Sequence, residues 1–160
     1  MELGPLKARA EAPHTLVVSS WLPGTARRRA LGQPAEFSAL PAPEGALAAW
    51  TPALDPTGCT EQPPPATDYE VIAVVRQGGC TFVRKALIAQ KVGASGLLVV
   101  SKEGPIFMRA GKNETAQSHS IKIFVASVPA TYGEPVLRSA KSHLGDQSVV
   151  LSFEPYISHS

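Results

Sequence analysis

Residues 70–101 constrain the fold more than any other stretch, because two apolar runs flank a helix-forming segment with almost no connecting chain. Residues 70–75 are a β-branched run of strand length, typical of a strand buried on both faces. The glycine turn at 78–80 leads into residues 81–92, which are rich in helix formers, and residues 96–100 form a second apolar run. This pattern predicts a strand-helix-strand unit with parallel strands and a right-handed crossover.

The predicted helix has recognisable ends. Thr81 is a candidate N-cap, because its hydroxyl can accept a hydrogen bond from a free amide of the first turn. Gly93 is a candidate C-terminal stop. Val83 and Leu87 lie one turn apart, and we expect both on the buried face.

Further elements are expected on both sides of this unit. Enrichment in β-branched and apolar residues predicts strands at residues 14–19, 121–126 and 148–153. A second helix is predicted from Glu134-Pro135 to Gly145, because proline is tolerated in a first helical turn.

The amino-terminal half is irregular. Residues 1–13 show no period and are expected to be a flexible terminal segment. Proline and glycine interrupt residues 34–65, which predicts loops and edge strands, with residues 46–50 as a short strand or turn. The triplet Arg27-Arg28-Arg29 is interpreted as solvated loop charge.

Composition narrows the class of protein. The 160 residues, 44% of them hydrophobic, suffice for one domain with a real core. A formal net charge of +2 gives no indication of a nucleic-acid partner. The apolar runs, residues 96–100 among them, are far below the roughly 18 residues that a membrane span needs. The start Met1-Glu2-Leu3 lacks signal-peptide features, so a secretory origin would make this a mature segment.

No pattern of catalytic or metal-ligating residues emerges. The histidines are scattered and lack metal-ligand spacing, and the aspartates sit beside turn residues. The Gly78-Gly79 turn matches neither phosphate-binding glycine motif. We therefore expect no enzyme activity, no metal and no cofactor in this chain.

Two features bear on the cellular compartment. Cys59 and Cys80 could form a disulfide in an oxidising compartment or remain two buried thiols in the cytosol. The triplet Asn113-Glu114-Thr115 is an N-glycosylation acceptor pattern, which also arises easily by chance.

Residues 77–100 closely resemble the core of the protease-associated (PA) domain. The shared pattern is a hydrophobic strand, Arg-x-Gly-x-Cys-x-Phe, a lysine-bearing helix that ends in Ala-Gln-x-x-Gly-Ala, and an apolar strand. The resemblance covers residues 70–127 well. It implies an α/β (α+β) fold over residues 14–155, a mixed curled sheet or open β-barrel flanked by two main helices, with residues 156–160 as a tail that leads towards an absent membrane span. It also implies a disulfide between Cys59 and Cys80.

PA domains carry no catalytic residues of their own and act beside another function, so the resemblance implies a protein-binding role. Residues 58–65 resemble the corresponding segment of Goliath/GRAIL-type single-pass transmembrane RING ubiquitin ligases. That host would recruit a substrate protein on the luminal side, and it would engage a ubiquitin-conjugating enzyme through an absent zinc-binding RING domain. The expected location is the endomembrane system (endoplasmic reticulum, endosome or lysosome) or the cell surface.

Two alternatives remain open. Residues 98–103 and 111–115 resemble signal-peptide-peptidase-like intramembrane aspartic proteases, and sorting receptors and other proteases also contain PA domains. A cytosolic binding domain with free thiols is the other. Partner binding is expected on the polar loop after the second strand of the unit, because binding residues concentrate on loops held by a rigid scaffold. The candidates are Lys102, Glu103, Phe107, Arg109, Lys112 and His119, with a glycan at Asn113.

Overall fold

The computed structural model describes residues 15–22, 24–142 and 149–156. Seven strands form a closed barrel in the order β1-β2-β6-β5-β4-β3-β7. The strands are β1 (Leu16–Trp21), β2 (Arg28–Pro34), β3 (Leu47–Trp50), β4 (Val71–Arg76), β5 (Gly96–Ser101), β6 (Phe124–Pro129) and β7 (Val150–Pro155). The helices are α1 (Phe82–Lys91), α2 (Thr115–Ser118) and α3 (Ala130–Ser142), and residues Lys112–Glu114 form a 3-10 helix. The predicted α/β class is confirmed, and the barrel is closed rather than open, because β1 pairs with both β2 and β7.

One half of the barrel is parallel. Strands β3, β4, β5 and β6 are neighbours that run in the same direction. The predicted unit of β4, α1 and β5 is confirmed, with Thr81 as N-cap and Gly93 in the left-handed region at φ +98°. Of the two side chains expected on the buried face of α1, Val83 is buried, whereas Leu87 is half-buried.

The other half of the barrel is antiparallel and contains a strand that the sequence did not predict. β2 pairs with β1 and β6, and it begins at Arg28, within the triplet interpreted as loop charge. The guanidinium of Arg27 lies 4.1 Å from the ring centroid of Trp21, and that of Arg28 lies 5.1 Å from that of Tyr132. Because these arginines pack on aromatic rings and Leu31 faces solvent, β2 lacks the alternation that would reveal a strand.

Two apolar cores lie on opposite faces of the barrel wall. The interior core joins buried side chains of the other six strands, including Val18, Leu98 and Val128, to one face of α3, and the half-buried Ala30 of β2 packs against it. The outer core joins the outward side chains of the parallel strands to α1 and to the loop after β5, including Val75, Val99, Val83 and Met108. The parallel strands are therefore buried on both faces, as their continuous apolar runs predicted.

Several predicted boundaries are shifted. α3 begins at Ala130, not at Glu134, so Pro135 lies inside the helix. Gly133 lets α3 lie close to β5, because a Cβ at this position would lie 2.7 Å from Val100 Cγ2. β6 begins three residues later than expected and β7 two residues later. The predicted helix end at Gly145, residues 1–14 and residues 157–160 lie outside the described residues.

Candidate functional site

The loops that follow β4 and β5 meet at the edge of the sheet where the parallel strands end. The main-chain amide of Lys102, directly after β5, donates to Gln77 Oε1, directly after β4, over 3.2 Å. In parallel sheets this edge is the usual place for binding residues, because successive loops converge there. The β4-α1 turn and the loop of residues 102–111 together form the candidate site.

Two glycines shape the β4-α1 turn. Gly78 and Gly79 adopt φ values of +105° and +84°, a region that side chains disfavour. A Cβ on Gly79 would lie 3.0 Å from Cys59 Sγ, so this position also needs a residue without a side chain. The turn presents Cys80 to Cys59, and the two form a disulfide with a Cα–Cα distance of 5.9 Å. The pairing that the resemblance implied is therefore present in the structure.

Asp55 organises the chain segment that carries Cys59. Its carboxylate accepts hydrogen bonds from the Thr57 amide at 3.1 Å, the Thr57 hydroxyl at 2.6 Å, the Cys59 amide at 3.2 Å and the Thr60 hydroxyl at 3.1 Å. The Thr57 hydroxyl bond leads the contacts that lower the pKa of this carboxyl below its ordinary value of 3.8. An ionised Asp55 thus fixes the loop before the disulfide.

Lys85 is a fully buried lysine in the first half of α1, with no exposed surface. Its ammonium donates to main-chain carbonyl oxygens on both sides of the disulfide: Thr57 O at 2.6 Å, Arg76 O at 3.0 Å and Gly78 O. Nζ also lies 3.7 Å from Cys59 Sγ. Burial lowers the pKa of Lys85 from 10.5 to about 8, partly opposed by the negative charge of Asp55. The ammonium therefore predominates near neutral pH and joins the two chain segments that the disulfide crosslinks.

Sequence reasoning missed Lys85, which it treated only as a helix former. The available signal was its position on α1: Ile88 and Ala89, three and four residues later, are both buried. A lysine on the buried face of a helix is rarely fully buried unless its ammonium has hydrogen-bond or charge partners. The helix pattern could have raised this question but could not have named the partners.

An open depression of about 360 Å³ lies beside the disulfide. Its lining residues come from the β4-α1 turn, the start of α1 and the loop after β5: Gln77, Gly78, Cys80, Thr81, Phe82, Arg109, Gly111 and Glu114. The Thr81 hydroxyl donates to Glu114 Oε2 and also accepts from the Arg84 amide at 3.2 Å. Glu114 thus ties the 3-10 helix to the start of α1.

The predicted partner-binding loop is partly exposed and partly anchored. Met108 is 1% exposed, and its carbonyl accepts from the Glu36 amide at 2.8 Å. Ser127 Oγ accepts from the Ile106 amide and donates to the Ile106 carbonyl, each at 2.8 Å. The polar loop is therefore not exposed along its whole length, because these contacts hold residues 106–108 against the outer core.

The candidate partner-binding residues are not gathered at one point. Of the six, only Arg109 lines the depression, and its guanidinium lies 4.8 Å from the ring centroid of Phe107, which is half-buried. Lys102, Glu103, Lys112 and His119 are exposed, as is the glycosylation candidate Asn113 on the 3-10 helix. Arg109 thus shares a depression with Cys80, and the other five candidates are not among the residues that line it.

An ion pair joins the end of β4 to α3 at this same edge of the sheet. Arg76, at the end of β4, binds Glu134 of α3 with two hydrogen bonds of 2.9 Å, from Nε to Oε2 and from Nη2 to Oε1. The pair lowers the pKa of Glu134 below its ordinary value of 4.5 and raises that of Arg76. A bidentate contact of this kind fixes α3 across the end of β4.

Within the described ranges, no group of three or more His, Cys, Asp or Glu side chains is arranged to hold a metal ion. No described helix has the length and hydropathy to cross a membrane.

A family model described as the PA domain matches residues 43–135. Among curated proteins, signal peptide peptidase-like 2B of Mus musculus is 45% identical over 69 residues, which is 42% of this chain and 11% of that protein. The same protein of Rattus norvegicus is 42% identical over 57 residues, 35% of this chain and 10% of that protein. The matches thus span about one tenth of these relatives.

Solved structures share the fold at low sequence identity. An aminopeptidase from Aneurinibacillus sp. strain AM-1 superimposes with a TM-score of 0.59 at 12% identity, over 90% of this chain and 31% of that one. A zinc aminopeptidase from Bacillus subtilis gives 0.53 at 20% identity, over 90% and 31%. A peptidase M28 precursor from Shewanella amazonensis gives 0.52 at 12% identity, over 93% and 39%.

Proposed function

This chain belongs to the PA domain family, and we propose that it is a non-catalytic protein-binding domain exposed to the lumen or the extracellular space. The observation that carries the proposal is the loop edge beside the disulfide. There a rigid barrel holds, through the contacts of Ile106 and Met108, a loop with exposed charged side chains, among them Lys102, Arg109 and Lys112. Such an arrangement suits recognition of a partner protein. The disulfide supports an oxidising compartment.

We favour a signal-peptide-peptidase-like membrane protease as the host of this domain. The curated relatives carry that name, and they match up to 69 residues at 45% identity. In such a host the domain would recruit or orient a protein substrate while a membrane-embedded part of the protein cleaves it.

The second candidate host is the Goliath/GRAIL-type RING ubiquitin ligase. Its support is the resemblance of residues 58–65, which include Cys59 and the proline run. This host would place substrate recruitment on the luminal side and a zinc-binding RING domain, which engages the ubiquitin-conjugating enzyme, on the cytosolic side.

Sequencing the transcript that encodes the chain separates the two hosts. Several membrane spans with a pair of embedded aspartates downstream of codon 160 would establish the protease. A single span followed by a Cys/His RING pattern would establish the ligase. A coding region with neither would overturn both host assignments and leave the binding role to be tested separately.

Site-specific photocrosslinking tests the binding role. The chain is expressed in the secretory pathway with a photoreactive amino acid in place of Arg109. The matched control carries it in place of Tyr156, which is 48% exposed and follows β7 at the opposite end of the barrel. We expect a crosslinked protein of defined mass from position 109 and not from 156. Equal labelling, or none at either position, would contradict binding through this edge.

Intact-mass measurement of the same secreted chain tests the glycan. Removal of a glycan by an N-glycosidase, and its absence in Asn113→Gln, would place it at Asn113. An unchanged mass would show that Asn113 is bare.

A further inference from the structure

We propose that the Cys59–Cys80 disulfide is a thiol-exchange site, at which a small anionic thiol of the glutathione class attacks Cys80 Sγ and Cys59 leaves as the thiolate. The inference goes beyond partner binding and does not depend on which host carries the domain. It rests on the different surroundings of the two sulfur atoms.

Cys59 lies near one buried cation, which favours a leaving thiolate, and near the Asp55 carboxylate, which accepts from the Cys59 amide at 3.2 Å. Lys85 Nζ lies 3.7 Å from Cys59 Sγ, and this ammonium has no exposed surface, so water screens its charge little. Gly79 packs over the same sulfur so closely that a Cβ on it would lie 3.0 Å away. A nearby lysine ammonium stabilises a cysteine thiolate, and the sulfur with the more stable thiolate leaves faster in disulfide exchange.

The surroundings of Cys80 favour attack. Cys80 lines the open depression of about 360 Å³, whose rim includes Arg109. Glu114 is in the same lining, but its carboxylate accepts hydrogen bonds from the Thr81 hydroxyl and from the Gly111 amide at 3.4 Å. Glu114 keeps its negative charge, so Arg109 is the side chain in this lining that can pair with a carboxylate of an approaching thiol.

The reaction balances as one exchange. The incoming thiol loses its proton to solvent, and its sulfur forms a new bond to Cys80 Sγ. The Cys59–Cys80 bond breaks, and its electron pair stays on Cys59 Sγ beside the Lys85 ammonium. The products are a mixed disulfide on Cys80 and a thiolate on Cys59, and the number of disulfides is unchanged.

Peptide mapping of the trapped mixed disulfide gives the direct test. The folded chain is incubated with reduced glutathione, quenched with excess N-ethylmaleimide and digested. We expect glutathione on Cys80 and maleimide on Cys59, at least about tenfold more abundant than the reverse arrangement. The reverse arrangement, an equal mixture, or exchange only after unfolding in urea would overturn the proposal.

Two variants separate the contributions of the charges. In Arg109→Gln, exchange with glutathione should slow about fivefold, while exchange with neutral 2-mercaptoethanol stays unchanged. Lys102→Gln is the control, because Lys102 is exposed on the same loop and is not among the residues that line the depression. Equal slowing with both thiols would show that Arg109 does not attract the thiol.

Lys85→Met should bring the ratio of the two mixed disulfides close to one, with Lys91→Met on the same helix as the control. If folded Lys85→Met keeps the original ratio of the two mixed disulfides, Lys85 does not direct the exchange. If Lys85→Met does not fold, the map of the unaltered chain and the Arg109 series still decide the proposal.

Discussion

The parallel and antiparallel halves of the barrel are stabilised in different ways. In the parallel half, β4 and β5 are buried on both faces, between the interior core and α1. In the antiparallel half, β2 is exposed at three of its seven positions and is held by its pairing with β1 and β6. The comparison shows that one barrel can contain strands whose own apolar sequence indicates them, such as β4 and β5, and a strand that forms because its neighbours pair with it, β2.

The largest expected effect on stability comes from the buried Lys85 in the parallel half. Lys85→Met leaves three main-chain carbonyl oxygens without their ammonium donor. We expect the free energy of unfolding to fall by about 4 kcal/mol, because each unpaired buried acceptor costs roughly 1–3 kcal/mol. Urea unfolding at neutral pH measures this. Lys91→Met, which removes an exposed lysine paired with Glu61, should change it by less than about 0.5 kcal/mol. Similar losses in both variants would show that burial of Lys85 does not stabilise the fold.

The disulfide has the next largest effect and acts on the same half. The crosslink spans 21 positions between Cys59 and Cys80. Replacing both cysteines with serine should lower the free energy of unfolding by about 3 kcal/mol, because the unfolded chain regains loop entropy. Chemical denaturation of the oxidised chain, the reduced chain and the double variant measures this. Equal stability of all three would favour a domain whose thiols are free in its cell.

A glycine substitution probes the antiparallel half. A Cβ on Gly32 of β2 would lie 2.7 Å from Val18 Cγ2 on β1, so Gly32→Ala forces the two strands apart. We expect a loss of about 2 kcal/mol from this overpacking. Gly104→Ala is the control, because no atom lies within 4 Å of its Cβ position. Thermal unfolding that does not distinguish the two would show that β2 adapts freely to its neighbours.

The smallest effect concerns the Arg76–Glu134 ion pair and its pH dependence. The pKa of Glu134 is lowered by Arg76, so its ionisation stabilises the fold above its ordinary value of 4.5, and this contribution is lost as the pH falls through the lower folded value. Arg76 is 43% exposed, so solvent screening reduces the effect of Glu134→Gln to about 1 kcal/mol at neutral pH.

The difference in unfolding free energy between the native chain and Glu134→Gln should shrink towards zero in acid. Glu154→Gln, at an exposed position near the end of β7, is the control. A difference that persists below pH 3 would contradict the assignment to the carboxylate.

Sequence alone determined the parallel unit and its turn. The continuous runs that became β4 and β5 need no partner to be recognised, because burial on both faces makes every position apolar. Thr81 and Gly93 were identified from local capping chemistry, and the pairing of Cys59 with Cys80 followed from the family resemblance. In each case the signal lies within a few residues or within a specific motif.

Tertiary structure alone decided the closure of the barrel, β2, the start of α3 and the partners of Lys85. β2 is held because β1 and β6 pair with it, and α3 packs closely against β5 because Gly133 has no side chain. Lys85 reaches carbonyls that lie seven, nine and 28 positions away along the chain. Hydrogen bonds and close contacts between distant segments depend on where the fold places those segments. Neither segment's sequence alone predicts them.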